Sequence, residues 1–362
     1  MKFNNLDREN KHFQPQIEKA IQEVIKSGKY LFGEQTEQLE QNFRGLTGKM
    51  YAISVKNATD AITMVSKWLN YAGSKSYSVP EFGAYPTYIA LKNALMHNNI
   101  LFATDGGLLG RYKESIEFTD IDDSLTIDPT KLKFDSRKVV VAVDLFGNET
   151  NIKAIKQKLP HAFIIHDCAQ ATCSKRDYNY SDAVIFSFYP TKPLAAMGDG
   201  GMICTNNKEL AQWLYKHRFY GYEADGSVDF VGVNSRMDEI QAAILNIKYE
   251  KLDEMNAKRV AIAKKYSNAL PFGVQQMKAS ENCIYHQFPV ILGDKYHREQ
   301  FIEKLIKARI PYIIHYPRMV RELEQSNATK ANPISERIVS LPCNAFMSNS
   351  EVNKVVKFLQ NL

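Results

Sequence analysis

The chain has 362 residues, 44% of them hydrophobic and 24% charged, which is the composition of a packed protein and excludes wholesale disorder. Its length exceeds what one hydrophobic core usually serves, so two lobes are expected. Forty-six Lys and Arg stand against 40 Asp and Glu, a net +6 that is spread along the chain rather than gathered into the stripe of a nucleic-acid binder.

Five scattered cysteines (Cys168, Cys173, Cys204, Cys283 and Cys343) form no C-x-x-C pair, which argues against a disulfide scaffold or a zinc site and suits a reducing cytosol. Met1 to Asn5 leads into polar sequence, and no stretch approaches the roughly 18 apolar residues of a spanning helix. The expectation is a soluble cytoplasmic protein with no membrane or nucleic-acid partner.

In chain order, a polar arm and a helix (Gln16 to Ser27, stopped at Gly28) precede a second helix, about Thr36 to Leu46, ended at Gly48. Tyr51 to Val55 has strand character and Ala61 to Leu69 helical spacing, with the cap-forming Asn57-Ala58-Thr59-Asp60 between them. From residue 138 the pattern becomes regular. Val139 to Val143, Phe163 to Asp167, Ala183 to Phe188 and Gly201 to Thr205 are short apolar runs, with a helix at Ile152 to Leu159. Runs apolar on both faces indicate a mainly parallel sheet covered on both sides, whose ligand sits outside the carboxyl ends of its strands.

After Gly232 the texture changes. Met237 to about Leu270 reads as one long helix, followed by strand-like Gln287 to Leu292, a helix around Glu299 to Ala308 and a last helix from Ser350. The expected division is a large lobe over 1–250, including the arm, and a small one over 251–362.

Chemistry gathers where the strands end. Asp167 closes the second run, and Lys192 follows the third, held between Pro190 and Pro193 in a loop at the same edge. Asn57-Ala58-Thr59 opens a helix, where backbone N–H groups and a hydroxyl suit an anion. Alone, each has a structural reading: a solvated loop lysine, a turn-forming Asp, a helix cap. Together they match pyridoxal phosphate, which needs an amine for its aldehyde, an acid for its pyridine nitrogen and an anchor for its phosphate.

Asp167-Cys168-Ala169-Gln170-Ala171, Phe186 to Lys192 and Gly198-Asp199-Gly200-Gly201 resemble the DegT family of sugar aminotransferases. So do Ser27 to Gly33, Thr119 to Asp122, Ile127-Asp128-Pro129, Gly232 to Met237 with Gln241 to Leu245, His315-Tyr316-Pro317 and Leu341-Pro342. The resemblance implies an α/β fold of type I, that of aspartate aminotransferase, with a mainly parallel sheet in a large domain and a smaller α+β C-terminal domain. It implies that Lys192 forms the Schiff base and moves the proton, that Asp167 binds the pyridine nitrogen, and that Gln170 lies by the ring's phenolic oxygen. Ala58, Thr59 and Ser187 would hold the phosphate, with Asn234 reaching it from the second subunit of a homodimer. Tyr88 would stack on the ring, with Tyr85 or Phe82 as alternatives. His315 and Tyr316 would line the substrate pocket, and Arg218 would either pair with a sugar diphosphate or support the fold.

The implied reaction moves an amino group from glutamate or glutamine to a nucleotide-linked keto-sugar, for a surface glycan or a glycosylated natural product. Relatives with His at the position of Lys192 are dehydratases, so Lys192 favours transamination. The rival readings are a cyclitol-ketone aminotransferase and a non-catalytic binding protein. Two features depart from the family pattern: Ala58 stands where Gly is usual, and Glu81 to Pro86 and Met96 to Phe118 are longer than usual, the latter with Gly106-Gly107 and Gly110.

Overall fold

A computed structural model describes residues 1–71, 73, 75–96, 115–173, 175–323 and 333–362. The inserted glycines Gly106, Gly107 and Gly110 lie outside the described residues.

Seven strands form the central sheet: β1 (Tyr51–Val55), β2 (Ser76–Pro80), β3 (Ser115–Thr119), β4 (Lys138–Val143), β5 (Phe163–Asp167), β6 (Ala183–Ser187) and β7 (Gly201–Thr205). Their order is β1-β7-β6-β5-β4-β2-β3. The neighbours from β6 through β3 pair in parallel, and β7 runs antiparallel to both β1 and β6. Every residue of β4, β6 and β7 is buried, as expected for strands covered on both faces. Helices Ala58–Tyr71 and Lys208–His217 pack on one face in a core with Ile53, Val141 and Ile185. Helices Glu34–Thr47 and Glu239–Tyr249 contribute Leu39, Phe43 and Leu245 to a second core with Val184, Phe186 and Met202.

The register collects the site. Val55 of β1 pairs with Gly201, Gly201 with Ser187, and Asp167 of β5 with Ile185 of β6. The ends of β1, β5 and β6 therefore open at one edge. β1 can turn into its helix so close to β7 only because residue 201 is glycine. A Cβ there would come within 2.6 Å of the Asn57 carbonyl carbon and 2.9 Å of the Ala58 nitrogen.

A three-stranded antiparallel sheet follows, β8 (Gln275–Gln276), β9 (Phe288–Ile291) and β10 (Ile338–Leu341), in the order β10-β9-β8. It shares a core with helices Leu252–Ser267, Lys295–Lys307 and Asn349–Gln360 through Tyr266, Phe288, Leu305, Val355 and Leu359.

The single long helix expected over Met237 to Leu270 is two, Glu239–Tyr249 and Leu252–Ser267, broken at Lys251 (φ −108°, ψ 6°). The break follows Lys248, whose buried ammonium bonds Glu9 of the first helix at 2.7 Å and the Ala195 carbonyl at 2.9 Å. The first helix itself runs Leu6–Ser27, longer than its expected start at Gln16, because Phe13 and Ile17 bury against Ile244 and Met255.

Candidate active site

A cleft of about 470 Å³ opens at this sheet edge, lined by Asn57, Ala58, Thr59, Asp167, Gln170, Ser187 and Lys192 among others. The helix Ala58–Tyr71 begins there with Asn57 as its cap, the Asn57 side chain accepting from the Asp60 N–H at 2.7 Å. The N–H groups of Ala58 and Thr59 have no partner within the helix, and the hydroxyls of Thr59 and Ser187 lie on the same cleft.

Asp167 is buried, and both its oxygens have protein donors. Thr87 donates its hydroxyl to Oδ2 at 2.7 Å, and the Ala169 N–H donates to Oδ1 at 3.0 Å. Burial pushes its pKa above the usual carboxylate range, while these two donors and nearby Lys192 pull it back. Lys192 faces the cleft from its loop, with its N–H bonded to the Tyr189 carbonyl at 2.8 Å. Desolvation lowers its pKa, and the Asp167 charge opposes that. A lysine shifted in this direction is closer to the neutral amine that attacks a carbonyl.

Gln170 is fixed at both ends. Its carbonyl accepts the Phe146 N–H at 2.8 Å, and its amide donates to the Tyr316 hydroxyl at 2.7 Å. Tyr316, which is thereby tied to the cleft floor, packs edge-on against Phe82. Neighbouring His315 bonds Ser340 at 3.1 Å, and burial with nearby Lys192 lowers its pKa to about 4.

Beneath the cleft floor, Asp144 meets His166 at 2.9 Å and pairs with Arg176, all three fully buried. Asp144, His166 and Cys168 have a spacing that could hold a metal ion, but Arg176 already places a cation on the carboxylate. The Asp144 N–H donates to the Asp167 carbonyl at 3.0 Å, so this network props the strand end that carries Asp167.

Other expected site residues lie elsewhere. Tyr88 is buried against Phe118, with ring centroids 5.5 Å apart, and it is not among the cleft-lining residues. Tyr85 and Phe82 are not among them either; the same segment contributes Ala84, Pro86 and Thr87. Arg218 bonds Glu40 at 2.9 Å and the carbonyl of Ser54 in β1 at 2.8 Å, and it is not among the cleft-lining residues. Asn234 is exposed and accepts from Arg236 at 3.0 Å, while the next residue, Ser235, bonds Asp60 at 2.8 Å. Sequence reasoning missed Thr87, although it stands beside Tyr88 in the segment that was singled out.

The donor set fits pyridoxal phosphate: an amine with lowered basicity, a buried carboxylate held by two donors, and a helix start cradled where only glycine leaves room. Residues 11–360 match the family described as DegT/DnrJ/EryC1/StrS aminotransferase. The chain belongs to this aminotransferase family. It is 34% identical to a dTDP-3-amino-3,6-dideoxy-alpha-D-galactopyranose transaminase of Aneurinibacillus thermoaerophilus, over 98% of the chain and 97% of that protein. It is 28% identical to a UDP-2-acetamido-2-deoxy-3-oxo-D-glucuronate aminotransferase of Pseudomonas aeruginosa, over the whole of both. The fold matches the crystal structure of S. venezuelae DesV in complex with a ketimine intermediate, with a TM-score of 0.86 at 24% identity over 99% of this chain and 97% of that one. Pyridoxal phosphate is the cofactor of the family. No described helix is long and apolar enough to cross a membrane.

Proposed function

We propose that this chain is a cytoplasmic aminotransferase that uses pyridoxal phosphate to move an amino group from glutamate or glutamine to a nucleotide-linked keto-sugar. The carrying observation is that Lys192 and Asp167 face one cleft with the start of the helix Ala58–Tyr71, in a chain similar end to end to transaminases named for dTDP- and UDP-sugars. Bound there, the cofactor supplies a reactive carbonyl and a sink for the electrons of the substrate carbon.

The chain's own groups do the rest. Thr59, Ser187 and the N–H groups of Ala58 and Thr59 would take the phosphate, and Asp167 would take the pyridine nitrogen. Gln170, held from both ends by the Phe146 N–H and the Tyr316 hydroxyl, would flank the ring in a fixed orientation. Lys192 would be the group that holds the aldehyde carbon and, as a free amine, the base that moves a proton at the substrate carbon. Tyr88 is not assigned to stacking in this reading, because its ring is committed to Phe118.

A second copy completes the site. Phe32, Tyr220, Tyr222, Val228 and Val231 are exposed large apolar residues around Asn234, more than a solvated loop needs. Covering that face with another copy would bring its Asn234 to this chain's phosphate. The test is a panel of dTDP- and UDP-linked keto-sugars with glutamate as donor. Turnover of at least one, abolished in Lys192→Ala, is expected, and inactivity on all of them would overturn the substrate assignment.

A further inference from the structure

Behind Lys192, on the side away from the helix cradle, lies a recess of about 20 Å³ lined by Asn5, Glu9, Thr191, Lys192, Arg259, His286 and Asn344 among others. Its charges do not balance. Arg259 is buried, at 5% exposure, and its two guanidinium bonds go to neutral oxygens: Asn256 Oδ1 at 3.0 Å and the Pro193 carbonyl at 3.3 Å. Among the described residues no carboxylate lies within ion-pair distance of it. Glu9, the one acid on the recess, is bonded to Lys248 at 2.7 Å. Buried charges are normally paired, because an uncompensated one is costly to desolvate.

His286 adds a second, independent sign. It is 8% exposed, and its ring has no hydrogen-bond partner among the described residues. Its position is fixed by the backbone: Gly147, at φ +86°, lets the His286 nitrogen approach where a Cβ would sit 2.8 Å away. Burial together with the charges of Lys192 and Arg259 lowers its pKa, so the neutral ring offers one N–H. The lining is thus rich in donors and positive in charge: guanidinium, imidazole, the Thr191 hydroxyl and the Lys192 amine. Its side-chain acceptors are a carboxylate already bonded to Lys248 and the amide oxygens of Asn4, Asn5 and Asn344, and that of Asn344 is already engaged by the Asn5 NH₂ at 3.2 Å and the Phe346 N–H at 3.1 Å.

We infer that this recess binds one small monovalent anion of halide size, held by Arg259 and His286 beside Lys192. The volume sets the size. A single water needs at least about 10–15 Å³ of such space, so the recess takes one monatomic ion and not a carboxylate with its chain. The consequence is chemical. An anion beside Lys192 favours the protonated over the neutral amine, so the anion tunes the proton that the lysine holds during transfer.

The test uses the cofactor-loaded protein crystallised with bromide replacing chloride, and diffraction at the bromine edge. An anomalous peak between Arg259 and His286, lost in Arg259→Met and in His286→Phe, is expected. In solution, replacing gluconate by chloride at constant ionic strength should raise the pH midpoint of the visible cofactor band, by on the order of one unit. Retention of the band in both variants shows that they are folded and loaded. Density that stays water-like in bromide overturns the inference. A bromide peak without any shift of the midpoint marks an adventitious ion only and overturns it equally. The diffraction arm is independent of the substrate assignment, so failure here and failure of the sugar panel remain distinguishable.

Discussion

The Thr87 hydroxyl donates to Asp167 Oδ2 at 2.7 Å, and with the Ala169 N–H on Oδ1 it sets the plane of the carboxylate at the cleft floor. Thr87→Val keeps the shape and removes the donor. The Asp167 pKa then rises further, and affinity for pyridoxal phosphate should fall about tenfold, the worth of one hydrogen bond to a charged group. Equilibrium titration of the apoprotein with the cofactor measures this. Thr87→Ser should restore binding, and a Thr87→Val variant that binds like the parent would remove Thr87 from the site.

Arg218 is tied to Glu40 and Ser54, and its guanidinium lies 5.0 Å from the ring centroids of Phe32 and Tyr215. Arg218→Met leaves Glu40 without its cation, held only by the Ser54 N–H and hydroxyl, so stability should fall by about 1–3 kcal/mol. Denaturant unfolding measures the loss, and the KM for the nucleotide sugar should stay within about twofold. A large rise in KM without loss of stability would instead place Arg218 on the substrate.

Asp144 has the same vulnerability at greater depth. Asp144→Asn leaves Arg176 buried without its carboxylate, and a loss of about 3–5 kcal/mol is expected. The pairing with Arg176 and His166 overcomes burial and lowers the Asp144 pKa to about 2. Its contribution is therefore fully present above the unfolded value near 3.8 and is lost as pH falls toward 2. In the Asp144→Asn variant this part of the acid transition should disappear from unfolding curves taken across that range.

His217 lies stacked on Trp213, ring centroids 4.1 Å apart, with neither ring nitrogen bonded among the described residues. Burial, aided by nearby Lys67, lowers its pKa to about 4. Between pH 4 and 6.5 the unfolded chain binds a proton that the folded one refuses, so stability falls as pH drops through that window, by up to about 3 kcal/mol. His315, also lowered to about 4, adds a similar slope. His217→Phe keeps the stack and removes the orphaned nitrogens, so unfolding curves should show a more stable protein at about pH 5 and a shallower slope. An unchanged slope would mean that the ring is solvated in the native state.

What the sequence made legible follows its physics. β4 to β7 were visible because strands buried on both faces are continuous apolar runs, and Asp167 and Lys192 because each stands at the end of such a run. β2 was not seen: Ser76-Tyr77-Ser78-Val79-Pro80 alternates polar and apolar residues, although Tyr77 and Ser78 are both buried. The break at Lys251 was hidden because the helical spacing continues through it. The placement of Tyr88 failed to emerge for a similar reason. An aromatic at helical spacing reads alike on either face, and only the packing of Phe118 decides which one it takes. Arg218 shows the reverse case, a cation whose partner, Glu40, lies 178 residues away in the chain.

The most direct test of the account follows the nitrogen. Purified protein is loaded with pyridoxal phosphate, given glutamate carrying a heavy-nitrogen label and a dTDP- or UDP-linked keto-sugar, and the nucleotide sugar is read by mass spectrometry. Labelled nitrogen on the sugar in the parent, and none in Lys192→Ala despite a native fold and retained phosphate binding, is the predicted result. Labelled amino sugar formed equally by Lys192→Ala, or protein that takes up no cofactor, would contradict it.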